Sequence, residues 1–367
     1  LAWQHLAAQR QLTGEGGLLT ALRGLEGFEA PAVEWERSLL PQRVANYDSR
    51  WLDALTLTGV VGWGRISPHP AFAAIESGGP KRIVPTGMAP ITFFVREEAL
   101  WMDLCLAQRE IPEANLTASL SELANRARSY LGERGAMFPG DLARALVASG
   151  EDVSRALWEL VAAGLVTADG FDSLRVLVEP RRKQMFAGAM GARKSTRPSA
   201  GRWGLMRGPD AAEQSAAWRE AAVEAACGVL LRRYGVVFRD LMERETAMPR
   251  WRELLGMFRR MEARGTVRGG RFVSGFGGEQ FALPEALESL RATRGRDFAT
   301  DTVTYSAADP MNLVGLVIPG EREAAVPGRI VTYPVTNAIE KPEIEASASI
   351  SANELPFSAT VEGGALA

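Results

Sequence analysis

Apolar positions recur at helical spacing over most of the chain, interrupted by short runs in which β-branched and aromatic residues dominate. The clearest unit runs from Ser119 to Val178. Ser119 with Glu122 predicts a capping box, each side chain satisfying an orphan amide at a helix start. Pro139 to Val147 predicts a short helix with proline at a tolerated first-turn position. Ser149 and Asp152 predict the cap of a third helix, with Val153, Leu157, Leu160 and Val161 on one face and Gly164 at its end. The run LVTADGFDSLRVLV predicts two strands around a tight turn at Asp169-Gly170. Helices followed by a hairpin are the layout of a winged helix, a relative of the helix-turn-helix. The third helix of this copy carries one arginine, Arg155, and the copy reads as a packing module.

The pattern recurs on both sides. Downstream, a helix from about Asp210 to Tyr234 leads to VVFRDLMERE, RWRELLGMFRRMEARG and the hairpin TVRGGRFVSGFGGEQFALP. At about 100° per residue, Trp251, Leu254, Leu255, Phe258 and Met261 form the core stripe of the middle segment. The opposite face holds Arg252, Gly256, Arg259, Arg260 and Ala263, cationic and nearly flat, as a helix entering a groove must be. The wing adds Arg264, Arg268 and Arg271, with Gly269 and Gly270 predicted at its tip. Upstream, a copy between Gly14 and Val95 predicts helices at GLLTALRGL, APAVEWERSLL and, capped by Asp48, SRWLDALTLTG. Its strands are VVGWGRIS and PITFFV, joined by a Pro/Gly-rich loop. After a short helix at Glu285 to Arg294, TVTYSAADPMNLVGLVIPG and RIVTYPV predict a small antiparallel barrel.

The expected architecture is α+β and mainly α, with tandem winged helices followed by a small antiparallel β-barrel. A winged-helix-like domain spans 1–110, a winged-helix domain 111–180, a basic linker 181–209, another winged helix 210–296, the barrel 297–338 and a disordered tail 339–367. That tail, from Pro342 onward, is rich in Ala, Ser and Glu.

Charge changes the picture. The 367 residues carry a formal charge of -2, and the mean hydropathy of -0.06 is ordinary for a globular chain. Only Lys81, Lys183, Lys194 and Lys341 are lysines, against 38 arginines. Arg175 to Arg207 holds nine basic residues against Glu179 alone, and Arg232 to Arg271 holds eleven arginines against five acids. A GC-rich genome explains many arginines; it does not explain clusters. Two basic stretches on a nearly neutral chain point to a polyanion, which arginine's planar fork suits.

Candidate chemistry is thin. GAMGARKST, from Gly188, fails as a phosphate-binding loop because Arg193 stands where glycine must precede the lysine. The stretch reads instead as an exposed basic linker, with Arg181, Arg182, Lys183, Arg193, Lys194 and Arg197 spaced by small residues; such linkers either bind phosphates non-specifically or are merely solvated, and Arg193 and Lys194 are the candidate phosphate contacts. SGFGGE at Ser274 lies between two strands and is no dinucleotide fingerprint. His5 and His69 are far apart and read as structural, and Cys105 and Cys227 complete no disulfide framework or zinc site. Two cysteines fit a reducing cytoplasm, and no apolar run approaches a membrane span. Asp297, Asp301 and Asp309 are the carboxylates near the barrel, with Asp309 in AADPMN a weak candidate for a catalytic base; an aspartate before proline is ordinarily a turn cap.

The stretch GRWGLM…LLRRYGVVFRDLMERE…WRELL…RRMEARGTVRGGRFVSGFGGEQFALPEAL, followed by SAADPMNLVGLVIPG, resembles the C-terminal region of the Lhr (large helicase-related) proteins. FEAPAVEWERSLLPQRVANYD, LDALTLTGVVGWGRISP and ALWELVAAGLVTADGFDSLR resemble successive parts of the same region, so the resemblance covers about residues 1 to 333. It implies the tail of an ATP-dependent DNA helicase linked to DNA repair, built of winged helices ending in a β-barrel and able to drive homo-oligomerisation. The chain starts at Leu1 inside a helical pattern and reads as a piece of such a protein. ATP and magnesium would belong to motor domains whose motifs these residues lack. The expected partners are single-stranded or forked DNA, with RNA as an alternative and no membrane. TYPVTNAIEKP departs from the family's Tyr-Arg-Asp-Gly-like turn.

Two further readings stay open. The layout is similar to that of a class of DNA glycosylases that excise damaged bases; the Gln-x-Gln motif of the alkyl-base members is absent, Gln280 is the only glutamine near the barrel, and Asp309 would be the base. The region is otherwise an oligomerisation scaffold whose Arg252–Arg260 face meets an acidic surface on another subunit.

Overall fold

Two three-stranded sheets repeat one strand order, and an isolated bridge extends a third, two-stranded sheet in the same sense, in the computed structural model of the chain, which describes residues 1–7, 10–72, 87–109, 111, 113–172, 174–175, 201–206, 215–293 and 301–335. In each, the strand that comes third in sequence lies between the first and the second. Strands β1 (Ala30–Pro31), β2 (Val61–Gly64) and β3 (Pro90–Val95) run in the order β1-β3-β2. Strand β4 (Val166–Ala168) pairs with β5 (Trp203–Leu205), whose Trp203 also bridges Met137. Strands β6 (Val236–Val237), β7 (Arg268–Gly270) and β8 (Gln280–Ala282) run β6-β8-β7. This is the winged-helix sheet, and in the last of the three the connection from second to third strand, residues 271–279, is the wing.

The chain divides into two compact units that do not follow sequence order. One takes residues 27–33 and 48–213, and the other takes 1–26, 34–47 and 214–367.

In the unit holding 48–213, helix α3 (Ser49–Leu57) is capped by Asp48, whose carboxylate accepts from the Arg50 amide at 2.9 Å. Helices α4 (Glu122–Arg134), α5 (Pro139–Leu146) and α6 (Gly150–Ala162) follow. Val153, Leu157, Leu160 and Val161 are buried on α6, which Ser149 caps through the Asp152 amide. The predicted Ser119–Glu122 box is replaced by a cap at Ser121. Its hydroxyl accepts from the Ala124 amide, while Glu159 on α6 accepts from the Ser121 amide at 2.6 Å and its hydroxyl at 2.7 Å. The reciprocal carboxylate thus comes from another helix, where local spacing cannot show it.

The predicted hairpin at Asp169-Gly170 is also corrected. Phe171 and Leu174 are buried in a helical turn, and β4 finds its partner in β5, beyond residue 200. Aromatic packing favours that choice: Trp203 lies edge-on to Trp63 and Trp158, each at 6.0 Å, in a cluster that Phe171 joins. The 181–209 segment read as a linker therefore overlaps the connection into β5; Arg181, Arg182, Lys183, Arg193, Lys194 and Arg197 lie outside the described residues.

The other unit contains α1 (Gly14–Leu25), residues 34–43 of helix α2 (32–43), α7 (Ala216–Tyr234), α8 (Trp251–Ala263) and α9 (Pro284–Thr293). Helix α2 includes a wide π turn at Trp35–Leu39. At one end of α7, the Trp3 indole donates to the Arg232 carbonyl at 2.8 Å, Arg232 pairs with Glu26 at 2.9 Å, and fully buried Arg233 meets Glu245. Tyr234 donates to the same Glu245 at 2.7 Å, so the charges buried there satisfy each other.

The predicted barrel is not found among the described residues. Strands β9 (Asp301–Ser306) and β10 (Ile330–Val335) form a two-stranded antiparallel sheet in register from Asp301 opposite Val335 to Ser306 opposite Ile330. Its core is Leu6, Tyr305, Ala307, Val314, Val331 and Tyr333. Pro310, Pro319 and Pro327 interrupt the run between the strands, removing the donors a closed ladder needs. Asp297 and the tail 339–367 lie outside the described residues.

Candidate nucleic-acid interface

Helix α8 and its wing carry most of the cationic residues predicted to meet a ligand. Helix α8 buries Leu254, Met257, Phe258 and Met261, with Trp251 and Leu255 half-buried. The core stripe is thus turned slightly from the predicted one, with Met257 in place of Leu255. Arg252, Arg259, Arg260 and Ala263 are exposed on the opposite side, and a Cβ at Gly256 would come no nearer than 4.0 Å to Arg260.

The carboxylates this face lacks are supplied from other elements. Glu220 and Glu224 on α7 pair with Arg260 at 3.2 Å and Arg264 at 2.7 Å, and Arg219 on α7 pairs with Glu253 at 2.8 Å. Glu279, at the end of the wing, takes Arg259 in a forked pair, Nε to Oε1 at 3.1 Å and Nη2 to Oε2 at 2.5 Å. Hydrogen bonding and charge in that fork raise the Arg259 pKa and lower that of Glu279. Arg252, Arg268 and Arg271 are exposed, with no ion pair among the described residues. Arg250, the N-cap residue of α8, is exposed in the same way. Arg250 precedes the first apolar position of the stripe, Trp251, so helical periodicity does not reveal it; Pro249 just before it is the signal of a helix start.

The wing is built differently from the prediction. Gly269 and Gly270 lie in β7 and not at the tip, which falls within 271–279, where Gly275 and Gly278 have positive φ. Glycine at 269 answers to close approach: its amide donates to Glu262 at 3.1 Å, and a Cβ would sit 2.3 Å from that carboxylate. Fully buried Gln280 accepts from the Phe272 and Val273 amides, each at 2.7 Å, and donates to the Val273 carbonyl at 2.8 Å. Phe276 folds back against Phe238 at 4.8 Å. Arg271, next to Phe272, thereby projects from a fixed loop.

Asp309, the candidate base, is fully buried. Arg43 holds both its oxygens, at 2.6 and 3.0 Å, and the Met311 amide donates to one of them at 2.9 Å. It acts as a turn cap and ion-pair partner. His69 accepts from the Ala71 amide and His5 contacts the Arg10 carbonyl, both locally structural. Burial raises the Cys227 thiol pKa far above the ordinary range, which leaves it inert. Among the described residues no His/Cys/Asp/Glu group suits a metal ion, and no helix is long and apolar enough to cross a membrane.

The winged-helix domain model of the large helicase-related proteins matches residues 216–302, which contain the α8 and wing geometry, and a second such model matches 1–74. Both matched segments are winged-helix domains of the large helicase-related (Lhr) type. Two Lhr proteins are 29% identical to the chain. The one from Escherichia coli (strain K12), named "Lhr helicase/uracil glycosylase", aligns over 334 residues, 83% of this chain and 20% of the relative. The one from Mycolicibacterium smegmatis, named "Lhr helicase/ probable uracil glycosylase", aligns over 359 residues, 89% of this chain and 21% of the relative. The chain therefore spans about a fifth of the length of the relatives it matches.

Proposed function

We propose that this region binds nucleic acid through its last winged helix, with α8 against a groove or strand and the wing gripping the adjacent backbone. The observation that carries the reading is the set of exposed arginines without ion pairs, Arg250, Arg252, Arg268 and Arg271, on the helix and wing that the fold presents together. The third helices of the other modules lack it: on α6, Arg155 is tied to Glu151 and Asp152, and on α3, Arg50 is tied to Asp48. Arg259, Arg260 and Arg264 join the surface by exchanging exposed carboxylates for phosphates. In the intact protein the region would hold single-stranded or forked DNA, with RNA as the competitor, for an ATP-dependent helicase in DNA repair. ATP and magnesium would belong to the motor domains of such a helicase, since GAMGARKST has Arg193 where a phosphate cradle needs glycine.

The test is binding of the chain to single-stranded, duplex and forked DNA, and to matching RNA, over a range of salt. Arg252→Ala with Arg268→Ala and Arg271→Ala should weaken binding alike across sequences and flatten the log–log salt slope by about three. An unchanged slope overturns the assignment. Base excision is the second reading, favoured by the names of both relatives. Uracil-containing DNA in the same assay decides it: alkali-labile sites support excision, and intact strands with retained binding remove it.

A further inference from the structure

Glu220 and Glu224 stand one turn apart on α7, opposite Arg260 on α8 and Arg264, the C-cap residue of α8 one turn further on. Glu279 reaches Arg259 with two parallel bonds, the geometry a guanidinium also uses on phosphate. None of these pairs is sealed from water: the side chains are 37 to 60% exposed. Exposed pairs are weak and screened by salt, whereas a polyanion gains from releasing its counterions. Three carboxylates on three separate positions therefore occupy the cationic groups that the binding surface needs.

We infer that Glu220, Glu224 and Glu279 are built-in phosphate stand-ins, displaced when nucleic acid binds, so that the resting ion pairs hold affinity below what the arginines alone would give. The inference rests on the proposed function and deepens it. Polyanion phosphates take over the forks on Arg259, Arg260 and Arg264, and the released carboxylates turn to solvent without moving either helix. The device trades affinity for reversibility, since a freed arginine finds its carboxylate again within the same module.

The test compares two variants of equal charge change in the full chain. Glu220→Gln with Glu224→Gln removes two stand-ins; Glu285→Gln with Glu288→Gln removes two exposed carboxylates of α9 with no ion pair among the described residues. On single-stranded DNA at fixed salt, the first should bind roughly fivefold more tightly than the second. In an Arg260→Ala, Arg264→Ala background the two should be equal. Glu279→Gln, which leaves the α7–α8 pairs intact, should also tighten binding, and it serves if the double variant misfolds. Equal affinity of the two double variants in the unsubstituted background, or weaker binding by the first, overturns the inference while leaving nucleic-acid binding in place. Absence of binding by the unsubstituted chain overturns the proposed function itself.

Discussion

An aspartate before proline is chemically ambiguous until its neighbours are known, and Asp309 shows why. Its two oxygens are taken by Arg43, and its carbonyl accepts from Arg244 at 3.0 Å. Arg43 and Asp309 are both fully buried. Removing one partner of such a pair leaves the other as an uncompensated charge, at about 3–5 kcal/mol. Asp309→Asn should therefore lower the urea midpoint substantially, and Arg43→Met with Asp309→Leu should recover most of the loss. If Asp309→Asn keeps full stability yet abolishes uracil excision, the residue is a catalytic base after all. AADPMN alone identified the turn; the residue that neutralises Asp309 lies far away in sequence, on α2, and no local pattern reveals it.

Among elements, the last wing shows which features are legible and which are not. The amphipathic period located α8 and its cationic face, because a helix that buries one stripe must repeat it every 3.6 residues. The partners of that face were not legible, since Glu220 and Glu224 come from a helix whose own pattern says nothing about which arginines it meets. Two adjacent glycines suggested a tip; in fact they allow Glu262 and Phe272 to approach β7 closely. The loop itself depends on Gln280. Gln280→Leu keeps the volume but strips three hydrogen bonds from residues 272 and 273. Leaving those groups unsatisfied costs about 1–3 kcal/mol each where water cannot replace the partner. Amide exchange at Phe272 and Val273 should accelerate while α7 and α8 stay protected, and DNA affinity should fall because Arg271 loses its fixed position. Unchanged exchange at both amides would show that the glutamine does not hold the wing.

Over the whole molecule, the repeat and the packing follow different rules. The repeated helices were legible because their apolar period is local, whereas the strand pairing of the middle copy, between β4 and β5, was not. The units were not, because what holds together the one containing 214–335 is long-range: the Trp3 indole on the Arg232 carbonyl, Glu26 on Arg232, Arg43 on Asp309, and the Ser306 hydroxyl donating to buried Glu34 at 2.6 Å. Helix α1 and residues 34–47 thus belong with 214–335, although sequence order groups them with β1, β2 and β3. A fragment of residues 1–110 would expose Glu26, Glu34 and Arg43 without their partners and lack the apolar surface that covers α1. It should lose structure over a broad range of urea, read by circular dichroism, whereas the full chain melts sharply. Adding residues 214–367 in trans should restore a cooperative transition by supplying the missing acceptors and core. A sharp two-state transition of the 1–110 fragment alone would mean that the first winged helix is self-sufficient and that the long-range ion pairs only decorate it.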